Sequence, residues 1–441
     1  MLPKDASAIG RFESLALLKL VILTALGLFI LSIFSDSPYV TIIVLDLLFC
    51  AYLVSLFKSK YRYLFLLHPF VLFASSQFYA IPFLSGGDGE AYAGVVASYF
   101  NTQDLSFHGD SLWSIYTPLR FFKYASLGVV PIYAVPEYFF NNPVDEVYCL
   151  WQGTFHVYLC VIVITLARAW NVLEAKYLFA IGLFVVISPT CFEFNTVPSR
   201  HIVTFFGVFL LLISHLAVQQ RFTLFRAVWY AIAVVVVLIS KAPLMAPYFI
   251  FVFIDLFVIH GYKLNIKATI TIALLVIGFV LMSDYLINTT LDYQATSKSG
   301  AATFGSFTEI PVIGWIVKYI FALLAPFPWL DSPLYINNNY RGNWFLFFMH
   351  TLSSLTGLYL FFVVILKYRT ILACDLQLKQ TVAFALIMSL SILKGSTGFH
   401  GYLSIYFPML VPLLTIKKLQ INPMLPVVFV IIMEAFMALV K

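Results

Sequence analysis

Asp88 and Glu90 stand two residues apart in FLSGGDGEAYAGVVASYF, a stretch that starts at Phe83 directly after an apolar run. Paired carboxylates suit two kinds of chemistry: general-base removal of a proton from a hydroxyl, or ligation of a divalent ion such as Mg or Mn. Gly86 and Gly87 permit a sharp turn, and Asp88 can cap the helix that follows. Tyr92, Val95, Val96 and Tyr99 then recur at i, i+3, i+4 and i+7, which predicts an amphipathic helix lying at an apolar–polar boundary. An N-cap alone is the plainer role for Asp88. His108 and Asp110, in FHGD of the same segment, favour a chemical one, with Tyr92, His108 and Asp110 as candidate acceptor contacts.

A second set of residues is cationic. Arg200 and His201, in FNTVPSRHIVTFF, open a predicted helix, where unpaired N–H groups and the positive end of the helix dipole suit a phosphate or pyrophosphate. Lys241, in VLISKAPLMAPYF, lies between two apolar runs and is followed by Pro243 and Pro247, so a turn is expected there. Its plainer role is to cap a helix C-terminus. Arg341, Lys394 and His400 extend the candidate phosphate-binding set, the last two from ILKGSTGFHGYLSIYF. Trp329, Asn338 and Tyr340, in APFPWLDSPLYINNNYRGNWF, could cover a sugar, the aromatic faces stacking on the ring while the amides meet hydroxyls; a polar turn is the alternative. Arg120 and Lys123 in YTPLRFFKY read equally as interfacial anchors.

The elements that must position these residues follow from composition. Of 441 residues, 62% are hydrophobic and 10% charged, which predicts an all-α, polytopic integral membrane protein with residues 1–441 as a single membrane domain. Apolar length places spans at 15–34, 39–57, 63–81, 149–168, 177–194, 202–218, 226–241, 246–260, 268–286, 345–366, 380–394, 402–416 and 423–440, about thirteen in all. The run 311–330 contains Lys318 and the two prolines of APFPW, and is expected to be re-entrant or interfacial. With the N-terminus inside, sixteen of the 26 Lys and Arg residues fall on the cytoplasmic side, nine outside, and Lys19 within the first span. A full crossing at 311–330 would put KYRTILACDLQLK outside, against the positive-inside tendency. In this topology the two long segments, 82–148 and 287–344, are both outer loops and together carry the candidate site. The first apolar run is expected to be a retained span, since more spans follow it without a small-residue cleavage site.

Several chemistries find no support. The net charge of +6 follows from cytoplasmic loop cations and calls for no nucleic acid. The five cysteines show no CxxC spacing, and neither G-x-x-x-x-G-K-[ST] nor G-x-G-x-x-G occurs. No cofactor is required by the pattern beyond the divalent ion that Asp88 and Glu90 could hold. Asp46, Asp255, His156, His215 and His350 have no sequence neighbours that define a site, and the two aspartates are expected to be packing or boundary residues.

The stretch GDGEAYAGVVASYF resembles the acidic element of membrane-embedded GT-C type glycosyltransferases, which take a sugar from a polyprenyl-phosphate carrier. SRH before a span, the SKAP turn, LLAPFPW and the late HGYLSIYFPMLVP are similar to features of bacterial O-antigen and surface-polysaccharide polymerases of that group. Lys241 and His400 depart from it, standing where related proteins often show arginine. The resemblance implies a polyprenyl-linked sugar donor, a cell-envelope glycan acceptor, and an active site facing the periplasm from the bacterial inner membrane. Asp88 would be the base of an inverting transfer, with Glu90 shaping the site. A repeat-unit polymerase is the alternative of the same chemistry. A lipid-linked-sugar flippase or secondary transporter is the alternative of another class, and it would call for repeats and midplane charges.

Overall fold

The computed structural model describes residues 37–73, 174–187, 201–241, 244–261, 344–389 and 409–440, with scattered positions between 22 and 33 and between 106 and 167. The chain divides into two compact units, Met1–Lys241 and Ala242–Lys441. The described chain is helical apart from one antiparallel pairing of two-residue strands, β1 (Ser106–Phe107) and β2 (Asp110–Ser111), in which Phe107 faces Asp110 in register. Among the described residues, two stretches, Tyr39–Leu56 and Val203–Gln220, are long and apolar enough to cross a bilayer. The expected re-entrant run 311–330, the span 268–286 and all of the outer loops except β1 and β2 lie outside the described residues.

In the first unit, α1 (Pro38–Leu56) begins with proline at its first turn, where the missing N–H costs nothing. Ile42, Leu45, Phe49 and Leu53 form its buried stripe, while Val40, Leu47 and Leu48 are exposed on other faces. A helix that is apolar all round fits a buried or lipid-facing setting. The chain then turns through 57–61 into a 3₁₀ segment, Arg62–Leu67. An α-helix was expected from residue 63, and Pro69 gives the reason for the difference. The carbonyl of Phe65 has no Pro69 N–H to accept in an i→i+4 bond, so it accepts the N–H of His68 instead, and the turn tightens.

Rings of Phe57, Phe65 and Phe179 close over this turn, with centroids 5.3 to 5.6 Å apart. Phe179 belongs to α2 (Ala175–Ile187), so three segments meet there. Arg62 donates to the carbonyl of Phe57 at 3.2 Å, fastening the connection from the other side.

The helices α3 (His201–Gln220) and α4 (Leu224–Lys241) form a hairpin joined by residues 221–223. Arg226 donates to the carbonyl of Ala217 at 2.7 Å, which also accepts the N–H of Arg221, and to the carbonyl of Arg221 at 3.2 Å, so it ties the start of α4 to the end of α3. Higher up, Gly207 lets the helices approach: a Cβ there would lie 2.8 Å from Val236 Cγ1 and 3.1 Å from Val237 Cγ2. On the opposite face of α4, Leu224, Val228, Ile232 and Val235 are exposed at helical spacing.

In the second unit, α5 (Met245–Ile254) runs into a π turn, Asp255–Ile259, which stops at Gly261 with φ +62°. The helix α6 (Trp344–Leu366) leads through the short α7 (Tyr368–Leu372) to α8 (Leu376–Ser389). Phe384 of α8 stands edge-on to Phe251 of α5, centroids 4.9 Å apart. After the 3₁₀ turns Val411–Thr415 and Lys417–Leu419, α9 (Met424–Val440) packs on α6 through Phe362 and Phe429. Tyr359 fixes the approach to α9: its hydroxyl donates to the carbonyl of Ile421 at 3.3 Å and accepts that residue's N–H at 3.1 Å.

Candidate functional site

Two of the expected phosphate-binding residues meet at one end of the α3–α4 hairpin. Gly207 is level with Val236 and Val237, and Ala217 is level with Arg226. The same antiparallel register sets His201 opposite Lys241. That end therefore combines the first turn of α3 as described, at the positive end of its helix dipole, and a lysine in the last turn of α4. Lys241 is half-buried with its Nζ withdrawn from solvent. A cation in that position complements the carbonyl end of its own helix and also favours an anion arriving at α3. Asp110 lies in β2, opposite Phe107, on the strand pair that flanks residues 108 and 109. The other expected site residues, Asp88, Glu90, Tyr92, His108, Arg200, Trp329, Asn338, Tyr340, Arg341, Lys394 and His400, lie outside the described residues.

The two aspartates within apolar helices have partners that their sequence neighbours did not reveal. Asp46 is fully buried on α1, and Nδ1 of His68 lies 2.7 Å from its Oδ2. Helix geometry explains the meeting. From Asp46 to the end of α1 the rise is about 15 Å, and from Arg62 back to His68 the 3₁₀ rise is about 12 Å. The two side chains thus come to nearly the same depth. Cys50 lies beside this pair, one turn after Asp46 on the same face of α1. Oδ1 of Asp46 is buried with no hydrogen-bond partner among the described residues.

Asp255, also fully buried, is met from two directions. Gln380 of α8 donates its side-chain N–H to Oδ1 at 2.8 Å, and Nδ1 of His260 lies 3.3 Å from the same oxygen. In a regular α-helix a residue five positions on points about 140° away. The π turn brings it back: the N–H of His260 bonds to the carbonyl of Asp255 at 2.9 Å, and its Nδ1 lies 3.1 Å from that carbonyl oxygen and 3.3 Å from Oδ1. Asp255 thus agrees with its expected packing role, joining α5 to α8. Asp46 is buried in the same way, and Cys50 joins its histidine there, with the three donor atoms within 4.8 Å of one another. His215 is buried on α3 beside Gln219 Nε2, at 3.0 Å, and the ring of Tyr230, a packing environment.

Sequence reasoning missed the Asp46–His68 pair because the partners are 22 positions apart. One available signal was the ionisable side chain inside each of two successive apolar runs. Comparison with known proteins adds no further residue: no family model, no curated protein and no solved structure matches this chain.

Proposed function

We propose that this chain is a polytopic membrane glycosyltransferase of about thirteen spans, which moves a sugar from a polyprenyl-phosphate-linked donor to a cell-envelope glycan at the outer face of a bacterial inner membrane. The observation that carries the reading is the level register of His201 and Lys241 at one end of an apolar helical hairpin. A lipid carrier pins its phosphate near the bilayer surface, so an enzyme acting on it needs N–H groups and cations at the end of a span. Arg200, Arg341, Lys394 and His400 complete that set in the proposal. The exposed apolar stripe of α4, and that of α9 at Met424, Val428 and Ile431, are surfaces suited to lipid rather than water.

In the proposed step, the carboxylate of Asp88 takes the proton of an acceptor hydroxyl as its oxygen attacks the anomeric carbon. The bond from that carbon to the carrier phosphate breaks, and the departing phosphate is held by the cations. Glu90 shapes the site or shares a divalent ion with Asp88. Tyr92, His108, Asp110, Trp329, Asn338 and Tyr340 line the acceptor and sugar positions.

Reconstitution in liposomes with a polyprenyl-phosphate donor labelled in its sugar tests the class of activity. Label passing to an added glycan acceptor is the expected result. Movement of intact donor across the bilayer with no transfer would overturn the proposal in favour of a flippase.

A further inference from the structure

We propose that Asp46, Cys50 and His68 form a binding site for a borderline-soft divalent ion of the zinc class, separate from the sugar-transfer site and independent of that reading. Asp46 and Cys50 lie four residues apart on one face of α1, and His68 reaches them from the following segment. One donor atom from each side chain lies within 4.8 Å of the others. All three residues are fully buried.

The second observation is the buried Oδ1 of Asp46, which has no hydrogen-bond partner among the described residues. Buried carboxylate oxygens are costly to leave unmatched, and ligation is one way to match them. The donor set then selects the ion. Magnesium and calcium take oxygen ligands, whereas a thiolate, an imidazole and a carboxylate together suit tetrahedral zinc.

Charge balance makes this exchange feasible in an apolar span. Without the ion, one proton shared between Asp46 and His68 and the thiol proton of Cys50 leave the cluster with no net charge. A divalent ion displaces the shared proton and the thiol proton, leaving a carboxylate, a neutral imidazole and a thiolate around it. The cluster remains neutral and two protons are released, so no net charge is brought into the apolar interior. The ion takes the place of the proton shared by His68 and Asp46 and is held by both oxygens of the carboxylate, so that Oδ1 gains a partner while the 2.7 Å contact of Oδ2 with Nδ1 opens to the separation of about 3.3 Å expected for two ligands on one tetrahedral centre.

The test uses the full chain purified in detergent from cells grown with added zinc, with metal content measured by mass spectrometry. About one zinc per chain is expected, with a loss of at least tenfold in Cys50→Ala, a substitution that leaves the Asp46–His68 hydrogen bond in place. Cobalt loading provides a second readout that does not depend on that variant's folding. A variant keeping Cys50 as its only cysteine should show a thiolate-to-cobalt charge-transfer band, and calorimetric titration in buffers of different ionisation enthalpy should report two protons released per ion. Wild-type protein that is monodisperse yet holds no stoichiometric zinc would overturn the site. So would full zinc content in Cys50→Ala, or no band from the Cys50-only chain.

Discussion

Asp46 and Asp255 are both fully buried in apolar helices and both face a histidine, yet their surroundings differ in kind. Asp255 is built from local geometry plus one long-range donor: the π turn brings His260 over it, and Gln380 reaches in from α8. Asp46 has its histidine from a separate segment, a thiol one turn away, and one carboxylate oxygen left unmatched. An amide that donates without titrating makes the first arrangement a fixed joint between two helices. Three side chains that can each offer a ligand atom make the second the place where an ion is proposed to bind. A buried acid therefore says little by itself; the groups that surround it decide its role.

The largest effect expected from breaking this contrast is at His68. His68→Leu strands a buried carboxylate and should lower stability by about 3–5 kcal/mol, read from thermal unfolding in detergent. The double replacement Asp46→Leu with His68→Leu removes both charges at similar volume and should recover most of that loss, while abolishing zinc binding. Gln380→Leu should cost less, about 1–3 kcal/mol, because Asp255 keeps His260. Gly207→Ala, which drives a Cβ to 2.8 Å from Val236 Cγ1, should cost about 1–3 kcal/mol. It should also disturb the register that sets His201 beside Lys241. At the small end, Glu174→Gln breaks a 2.8 Å contact to Lys176 in which both side chains are more than half exposed, and the unfolding midpoint should not move measurably.

Much of the helical layout was legible from apolar length. The run placed at 39–57 is α1, 202–218 lies within α3, 226–241 within α4, and 345–366 within α6. Each is bounded by charges or prolines that stop a helix, which is why length alone located them. The alternation of loops also anticipated that His201 and Lys241 share a side. What escaped were features that depend on a single backbone group: the 3₁₀ tightening before Pro69 and the π turn after Asp255. Both pairings of buried acids follow from those departures, and Gln380 lies 125 positions from its partner. The carboxylates on which the proposed chemistry rests, Asp88 and Glu90, are known from sequence alone.

The most direct measurement is transfer of a labelled sugar from a defined polyprenyl-phosphate donor by the purified chain, comparing wild type with Asp88→Asn. The substitution keeps size and capping ability but removes the base. The account predicts wild-type transfer and a loss of at least a hundredfold in the variant, with membrane insertion and zinc content unchanged. Transfer by Asp88→Asn at the wild-type rate would contradict it.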